Sequence, residues 1–267
     1  MATTERMVSL EGDRRLFVSE STGRGGLPVL FLSSLAADHT SWDGVRQRLR
    51  RRSVAYDTRG HGRSDVVADD ADIAGLAADA LAVMDAAGLD RAVLCGLSLG
   101  GLTAMEIAAR APERVAGLVL ANAAVNFPPA SMWVDRAATA RSGGFAALVE
   151  PTLERWLTAD FRAANDEETS KVRVMIAATP AAGYAAACAA LASGDGTEAL
   201  RGYAGPVLVI AGEHDRSTPV VRAEEMRDIA QNSELLVLDA AHLSAVERAD
   251  EFAAALEAFV AKVEDNG

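Results

Sequence analysis

Lysine is almost missing from this chain: of 267 residues, only Lys171 and Lys262. Arginine supplies nearly all the positive charge. Even so, 26 basic residues face 38 acidic ones, for a net charge of −12. That deficit argues against nucleic acid, whose binders present a basic face, and against an anionic membrane surface. An anionic small molecule remains possible, because one or two local arginines can hold it. Cysteine is nearly as scarce. Cys95 and Cys188 form neither a disulfide framework nor a zinc-ligand spacing, so no metal or cofactor is implied and a reducing compartment is the default. Long hydrophobic runs are absent as well. The apolar run Val29–Leu32 falls far short of the roughly 20 residues that span a bilayer. Met1–Gly12 mixes charges with no apolar core, unlike a signal peptide. The expectation is a soluble, cytoplasmic protein with a small-molecule partner. Oligomeric state is not legible.

What is present is an alternation of short apolar runs with helical patterns. Met7–Leu10 and Leu16–Ser19, split by Gly12-Asp13, read as a hairpin. Strands are expected at Val29–Leu32, Ser53–Tyr56, Ala92–Cys95 and Val115–Ala121, with helices at Trp42–Arg50, Ile73–Ala87 and Gly100–Arg110 between them. In Ile73–Ala87 the apolar residues Leu76, Ala80, Val83 and Met84 recur at helical spacing, and Gly88 ends the run. Such βαβα repetition predicts a parallel sheet with helices on both faces. Between Val125 and Thr197 no strand pattern occurs. Amphipathic or alanine-rich stretches replace it, at Ser131–Arg141, Phe145–Leu157, Glu167–Ala178 and Gly183–Ala192. The alternation resumes with strand Val207–Ile210, helix Val221–Ala230, strand Leu235–Leu238 and a helix from about Val246 to Val263. The division is therefore an α/β core of 1–124 and 197–267, with a helical cap of 125–196.

Chemistry concentrates at strand ends. Gly96-Leu97-Ser98-Leu99-Gly100 is a G-x-S-x-G pattern between an expected strand and an expected helix. There a sharp turn exposes a serine hydroxyl at the carboxyl edge of the sheet. An ordinary glycine-rich turn is the bland alternative. A serine needs a base, and four histidines are available. His39 and His61 precede the serine, and His61 lies within a turn. His214 neighbours acids. His242 follows the strand Leu235–Leu238, on the same edge as Ser98, and is the base of choice. Its orienting carboxylate is expected in Asp215, after strand Val207–Ile210, with Glu213 and Asp239 as runners-up. Asn122, at the end of the preceding strand, cannot replace an acid. The order Ser98, Asp215, His242 is that of an α/β-hydrolase. Oxyanion donors are expected from the backbone N–H groups of Leu99, just after the serine, and Leu35, in the loop after the third strand. Trp42 is expected to pack. Trp133 either packs or faces a pocket. Arg136, about one helical turn on and on the same face, is either a clamp for a substrate carboxylate or a solvated surface residue.

Several segments carry a family resemblance: Ser33–Trp42, Asp57–Asp65, Cys95–Gly101, Pro206–Pro219 and Ala240–Glu247. Together they resemble the α/β-hydrolase fold, and more narrowly the 3-oxoadipate enol-lactonases of the β-ketoadipate pathway of aromatic catabolism. Trp133-Val134-Asp135-Arg136, Leu153–Thr158 and Gly183–Cys188 resemble that family's cap helices, so the likeness spans nearly the whole chain. It implies a mostly parallel sheet with an inserted helical cap, no cofactor, and Ser98, Asp215 and His242 as nucleophile, acid and base. Two basic positions of the family are changed, to His39-Thr40-Ser41 and Val125-Asn126, where substrate contacts would differ. The leading expectation is hydrolysis of a small lactone through an acyl-enzyme. A carboxylesterase or thioesterase, an acyltransferase, and a hydrolase-like ligand receptor are the alternatives.

Overall fold

A computed structural model describes residues 3–10, 14–67 and 69–265. In chain order the elements are β1 Thr3–Ser9, β2 Arg15–Ser21, β3 Val29–Leu32, α1 Asp43–Arg46, β4 Ser53–Tyr56, α2 Ile73–Ala86, β5 Ala92–Leu97, α3 Leu99–Arg110 and β6 Val115–Ala121. There follow α4 Ala130–Thr139, α5 Ala146–Trp156, α6 Ala159–Ala164, α7 Asp166–Ala178, α8 Ala181–Ser193, α9 Thr197–Gly202, β7 Val207–Gly212, α10 Val220–Ile229, β8 Ser233–Leu238, α11 Ser244–Glu247 and α12 Ala249–Asp265. The strands form one sheet in the order β1-β2-β4-β3-β5-β6-β7-β8. The first two strands pair antiparallel, as does β2 with β4, and all remaining pairs are parallel. The expected hairpin is therefore present as β1 and β2, while its Gly12-Asp13 turn lies outside the described residues.

Every residue of β3, β4, β5, β6 and β7 is buried. Helices cover both faces of a parallel sheet, so these strands read as continuous apolar runs rather than as alternation. Sheet edges behave differently. Along β8 only Leu238 is fully buried, as a strand paired on one side requires. Among the described residues no single helix is long and apolar enough to cross a membrane.

One expected helix is shorter than its pattern suggests. In place of Trp42–Arg50 there is a 3-10 turn at His39–Trp42 followed by the four-residue α1. Bonds from Arg48 N to Val45 O and from Leu49 N to Arg46 O tighten the chain into single turns. Leu49 can then bury, at 1% exposure, and the chain can enter β4 at Ser53. Five helices, α4 to α8, occupy the stretch with no strand pattern. The short α6 and the later α9 escape sequence reading, because one or two turns show too little periodicity. The ends of this insertion meet: Gly196 N donates to Val125 O at 2.7 Å. It is tied to the core by Ala71 N to Ala186 O at 3.1 Å and Leu243 N to Trp156 O at 2.9 Å.

Asp57, at the end of β4, anchors the loop after β3. It is fully buried and accepts from His39 N (2.8 Å), His39 Nδ1 (2.7 Å) and Arg63 N (2.8 Å). Burial works against the His39 imidazolium, but the bond and charge of Asp57, with Asp38 and Asp43 beyond, outweigh it and raise its pKa. A raised folded-state value gives stabilisation that is complete below the ordinary histidine pKa of about 6.5 and is lost as pH rises through the folded value. His39→Phe is therefore expected to lower unfolding stability most below about pH 6.5 and progressively less above it. Denaturant melts of both proteins at pH 5.5 and 8.5 measure this, and an equal gap at both values would refute it.

Candidate active site

The serine turn forms because glycines let backbone come close. A Cβ on Gly96 would lie 2.2 Å from Gly100 O, and one on Gly100 would lie 2.1 Å from Leu32 O. Only hydrogen fits at either position, so β5 can fold straight into α3. The residue between them takes up the bend: Ser98 has φ 55° and ψ −111°, a strained conformation for a residue with a side chain. Its backbone N–H reaches across to Ala121 O at 3.0 Å. Ser98 is 5% exposed and lines a cavity of 190 Å³.

His242 lines the same cavity. The structure thus brings the expected nucleophile and the expected base to one space. His242 Nδ1 pairs with Asp215 Oδ2 at 2.8 Å, while the Trp156 ring lies 6.0 Å from the imidazole. Asp215 sits behind the histidine, 4% exposed. Its Oδ1 accepts from the N–H groups of Ser217 (2.7 Å) and Thr218 (3.0 Å). Its Oδ2 accepts, besides His242, the Thr218 hydroxyl (2.6 Å) and Asn122 Nδ2 (2.9 Å). Burial alone would push this carboxyl up. The charge and bond of His242, with the Thr218 and Asn122 bonds, more than offset it and hold Asp215 below the usual carboxylate range. It therefore stays ionised, as an acceptor for an imidazole N–H must. The runners-up are elsewhere. Glu213 and Asp239 are exposed, and Asp239 pairs with His214 (2.9 Å) and Arg248 (2.7 Å).

Leu35 also lines the cavity. Leu99 opens α3, where first-turn N–H groups have no partner within the helix. Neither the Leu35 nor the Leu99 N–H has a backbone acceptor outside the helices and strands among the described residues. The loop bearing Leu35 is held by Trp42. That ring is fully buried against Phe31 and Phe252, at 4.8 and 5.9 Å between centroids, and its Nε1 donates to Ser33 Oγ at 3.2 Å.

The cavity wall contributed by the insertion contains Trp133 and Arg136, as the sequence suggested for a pocket. Trp133 does both things proposed for it. It is 8% exposed, donates from Nε1 to Phe127 O at 2.7 Å, and has the Arg136 guanidinium 5.0 Å from its ring centre. Two further arginines were not anticipated. Arg155 and Arg216 line the same space. Arg155 donates to Thr152 Oγ1 (3.1 Å) and Arg216 to Glu154 O (3.0 Å). Among the described residues, Arg136, Arg155 and Arg216 have no carboxylate partner. Burial, then the neighbouring charges of Arg136 and Arg216, pull the Arg155 guanidinium below its usual range. Nothing in the spacing of these three could reveal their convergence, although Arg216 directly follows Asp215. Conversely, neither His39 nor Val125 is part of the cavity wall. Of the changed positions, His39 packs on Asp57 and Val125 is buried at 0% exposure, while Thr40 is exposed and Asn126 half-buried.

Folding also brings together two imidazole–carboxylate groups that sequence spacing does not reveal, Asp38-His39-Asp57 and Glu213-His214-Asp239. The first is committed to internal bonds, with Asp57 accepting three donors and Asp38 Oδ1 accepting Thr40 N at 2.8 Å. The second is exposed. Neither group contributes to the cavity wall at Ser98. His61 is fully buried in its turn, with Nδ1 3.1 Å from Arg59 O.

Asp215→Asn keeps the shape but replaces an acceptor with a group that can donate toward Nδ1, favouring the wrong imidazole tautomer. Turnover is expected to fall about 10⁴-fold with little change in the melting temperature. Steady-state kinetics on a chromogenic ester check this, and a loss under tenfold would remove Asp215 from the machinery.

A sequence model described as alpha/beta hydrolase fold matches residues 28–249. The 3-oxoadipate enol-lactonase 1 of Acinetobacter baylyi is 36% identical over 238 residues, covering 88% of this chain and 89% of that protein. Among solved structures, the enol-lactonase from Burkholderia xenovorans superposes with a TM-score of 0.92 at 32% identity, over 96% of this chain and 100% of that one. A thermophilic esterase from Thermogutta terrifontis gives 0.89 at 27% identity, over 99% and 100%. With the match to residues 28–249 and the strand order above, this chain belongs to the α/β-hydrolase fold family.

Proposed function

We propose that this protein is a serine hydrolase that opens a small, carboxylate-bearing lactone, with 3-oxoadipate enol-lactone as the leading substrate. One observation supports this most. Ser98, His242 and three arginines without acidic partners among the described residues share one cavity. In a chain of net charge −12, such a locally positive space selects anions. At 190 Å³ it is smaller than the roughly 300–1,000 Å³ typical of sites for drug-sized ligands. The names of relatives over nearly the whole chain point the same way.

In this reading Ser98 Oγ attacks the lactone carbonyl while its proton passes to His242. Asp215 keeps the imidazole oriented and stabilises the imidazolium. The amides of Leu35 and Leu99 bind the developing oxyanion, and each such donor contributes about 3–4 kcal/mol in comparable sites. The ring C–O bond breaks and releases an enolate, which takes the proton held by the His242 imidazolium and leaves that imidazole neutral. The chain stays attached as an acyl-enzyme until a water deprotonated by His242 frees the acid. Arg136, beside Trp133, holds the substrate carboxylate, with Arg155 and Arg216 adding to the field. Residues 125–196 act as the cap that closes this space over Ser98.

Loss of enol-lactone ultraviolet absorbance tests the assignment. Ser98→Ala is expected to lower kcat about 10⁴–10⁶-fold. Arg136→Met is expected to raise KM about tenfold or more, as loss of a charge-assisted bond implies. A neutral ester should show no such rise. If the enol-lactone survives while a neutral ester is cleaved in a Ser98-dependent way, the protein is a carboxylesterase and the carboxylate clamp is wrong. If neither is cleaved, the hydrolase reading fails.

A further inference from the structure

We infer that Asn122 is a positioning residue that sets the Asp215–His242 pair, acting through three bonds of one buried amide. The inference rests on the hydrolase reading for its kinetic consequence, though not for its geometry.

Asn122 follows β6 directly and is 1% exposed. Its backbone N–H donates to Ile210 O of β7 at 2.7 Å, and its φ of 44° turns the chain sharply out of the strand. Asparagine tolerates that left-handed conformation better than most residues. The side chain then spans three segments. One Nδ2 proton goes to Asp215 Oδ2 at 2.9 Å, on the loop after β7. The other goes to Ala241 O at 3.1 Å, the carbonyl just before His242 on the loop after β8. Oδ1 accepts the Ser244 hydroxyl at 2.5 Å.

The consequences follow from which atoms are used. Asp215 Oδ2 is the same oxygen that faces His242 Nδ1. The Asn122 bond therefore joins those of Ser217 and Thr218 in fixing the rotation of the carboxylate, and reaches it from a different strand end at the oxygen that His242 uses. The residue before His242 is held through both of its flanking peptides, because Ala241 N donates to Glu247 Oε1 at 2.7 Å while Ala241 O accepts Asn122. One amide thus sets acid and base relative to each other. The acceptor-only Asp215 Oδ2 and Ala241 O determine which end of the amide faces the carboxylate, and the Ser244 hydroxyl satisfies the oxygen at the other end. An amide turned end for end would put its oxygen against Asp215, which is repulsive. No carboxylate could replace it, since Asp215 requires a donor at this position.

Loss of a bond to a charged group implies a kcat about ten- to a hundred-fold lower in Asn122→Ala. KM is expected to stay within about twofold, since Asn122 does not line the substrate cavity. Rates are taken per site titrated with a fluorophosphonate, so that unfolded protein is not counted. Asn122→Gly removes the same amide without the Cβ strain of a positive φ and is expected to match Asn122→Ala. In Ser244→Ala the loss is smaller. The double variant Asn122→Ala/Ser244→Ala is expected to be no worse than Asn122→Ala alone, because the hydroxyl acts through the amide.

A second readout needs no substrate. The proton on His242 Nδ1, shared with Asp215, gives a far-downfield proton resonance. It is expected to disappear in Asp215→Asn and to shift or broaden in Asn122→Ala and Asn122→Gly. A wild-type resonance in both Asn122 variants would overturn the inference. So would wild-type kcat per titrated site accompanied only by a lower melting temperature. If the wild-type protein cleaves neither lactone nor ester, the hydrolase reading fails, and the resonance still decides the role of Asn122.

Discussion

The bond between Asp215 and His242 joins two loops that leave adjacent strands, β7 and β8, and that are tied to each other also by His214 N to Ala240 O at 2.9 Å. What keeps 2.8 Å between a buried carboxylate and a buried imidazole is the set of donors around the acid. A carboxylate taken out of water costs several kcal/mol unless its oxygens are satisfied. Asp215 recovers that cost from its own loop (Ser217 and Thr218), from the β6 end (Asn122) and from the base itself. The pair is thus a product of sheet order, because only with β6, β7 and β8 side by side do these donors reach one carboxylate.

The same edge holds the serine. Its strained backbone is tolerated because β5 and α3 leave no alternative path: Gly96 and Gly100 let the strand, the helix and the end of β3 approach to distances that any side chain would prevent. The rigidity of the edge is matched by ties to the insertion. Glu247 accepts Ala241 N from the histidine loop on one oxygen and Thr158 N and Oγ1 from the start of α6 on the other. Movement of the insertion is therefore felt within one residue of His242.

Charge is distributed unevenly across the molecule. The surface is acidic and laced with arginine–carboxylate pairs, each worth little when exposed. Among the described residues, the cavity wall inverts the pattern, with three guanidinium groups and no carboxylate in its lining. Burial of Arg155 is costly and the like charges of Arg136 and Arg216 add to it, as its lowered pKa reflects. In the proposed function an anionic substrate would relieve that repulsion, which is how electrostatic pre-organisation yields selectivity.

The chain's own pattern determined the strands, the serine turn and the order in which Ser98, Asp215 and His242 fall at strand ends. These features are local: an apolar run of four to seven residues, two glycines around a serine, a histidine just past a strand. Signals confined to one or two turns are weaker, so α6 and α9 carry no legible periodicity and the pattern after Trp42 extends beyond the helix that forms. Residues that act by convergence left no trace at all. Arg136, Arg155 and Arg216 come from three segments, and Asn122 looked inert beside an acid it could not replace. Their roles depend on which side chains meet across the sheet edge, and only the tertiary structure decides this, since sequence spacing encodes neighbours along a helix or strand but not contacts between loops 27, 93 or 119 residues apart.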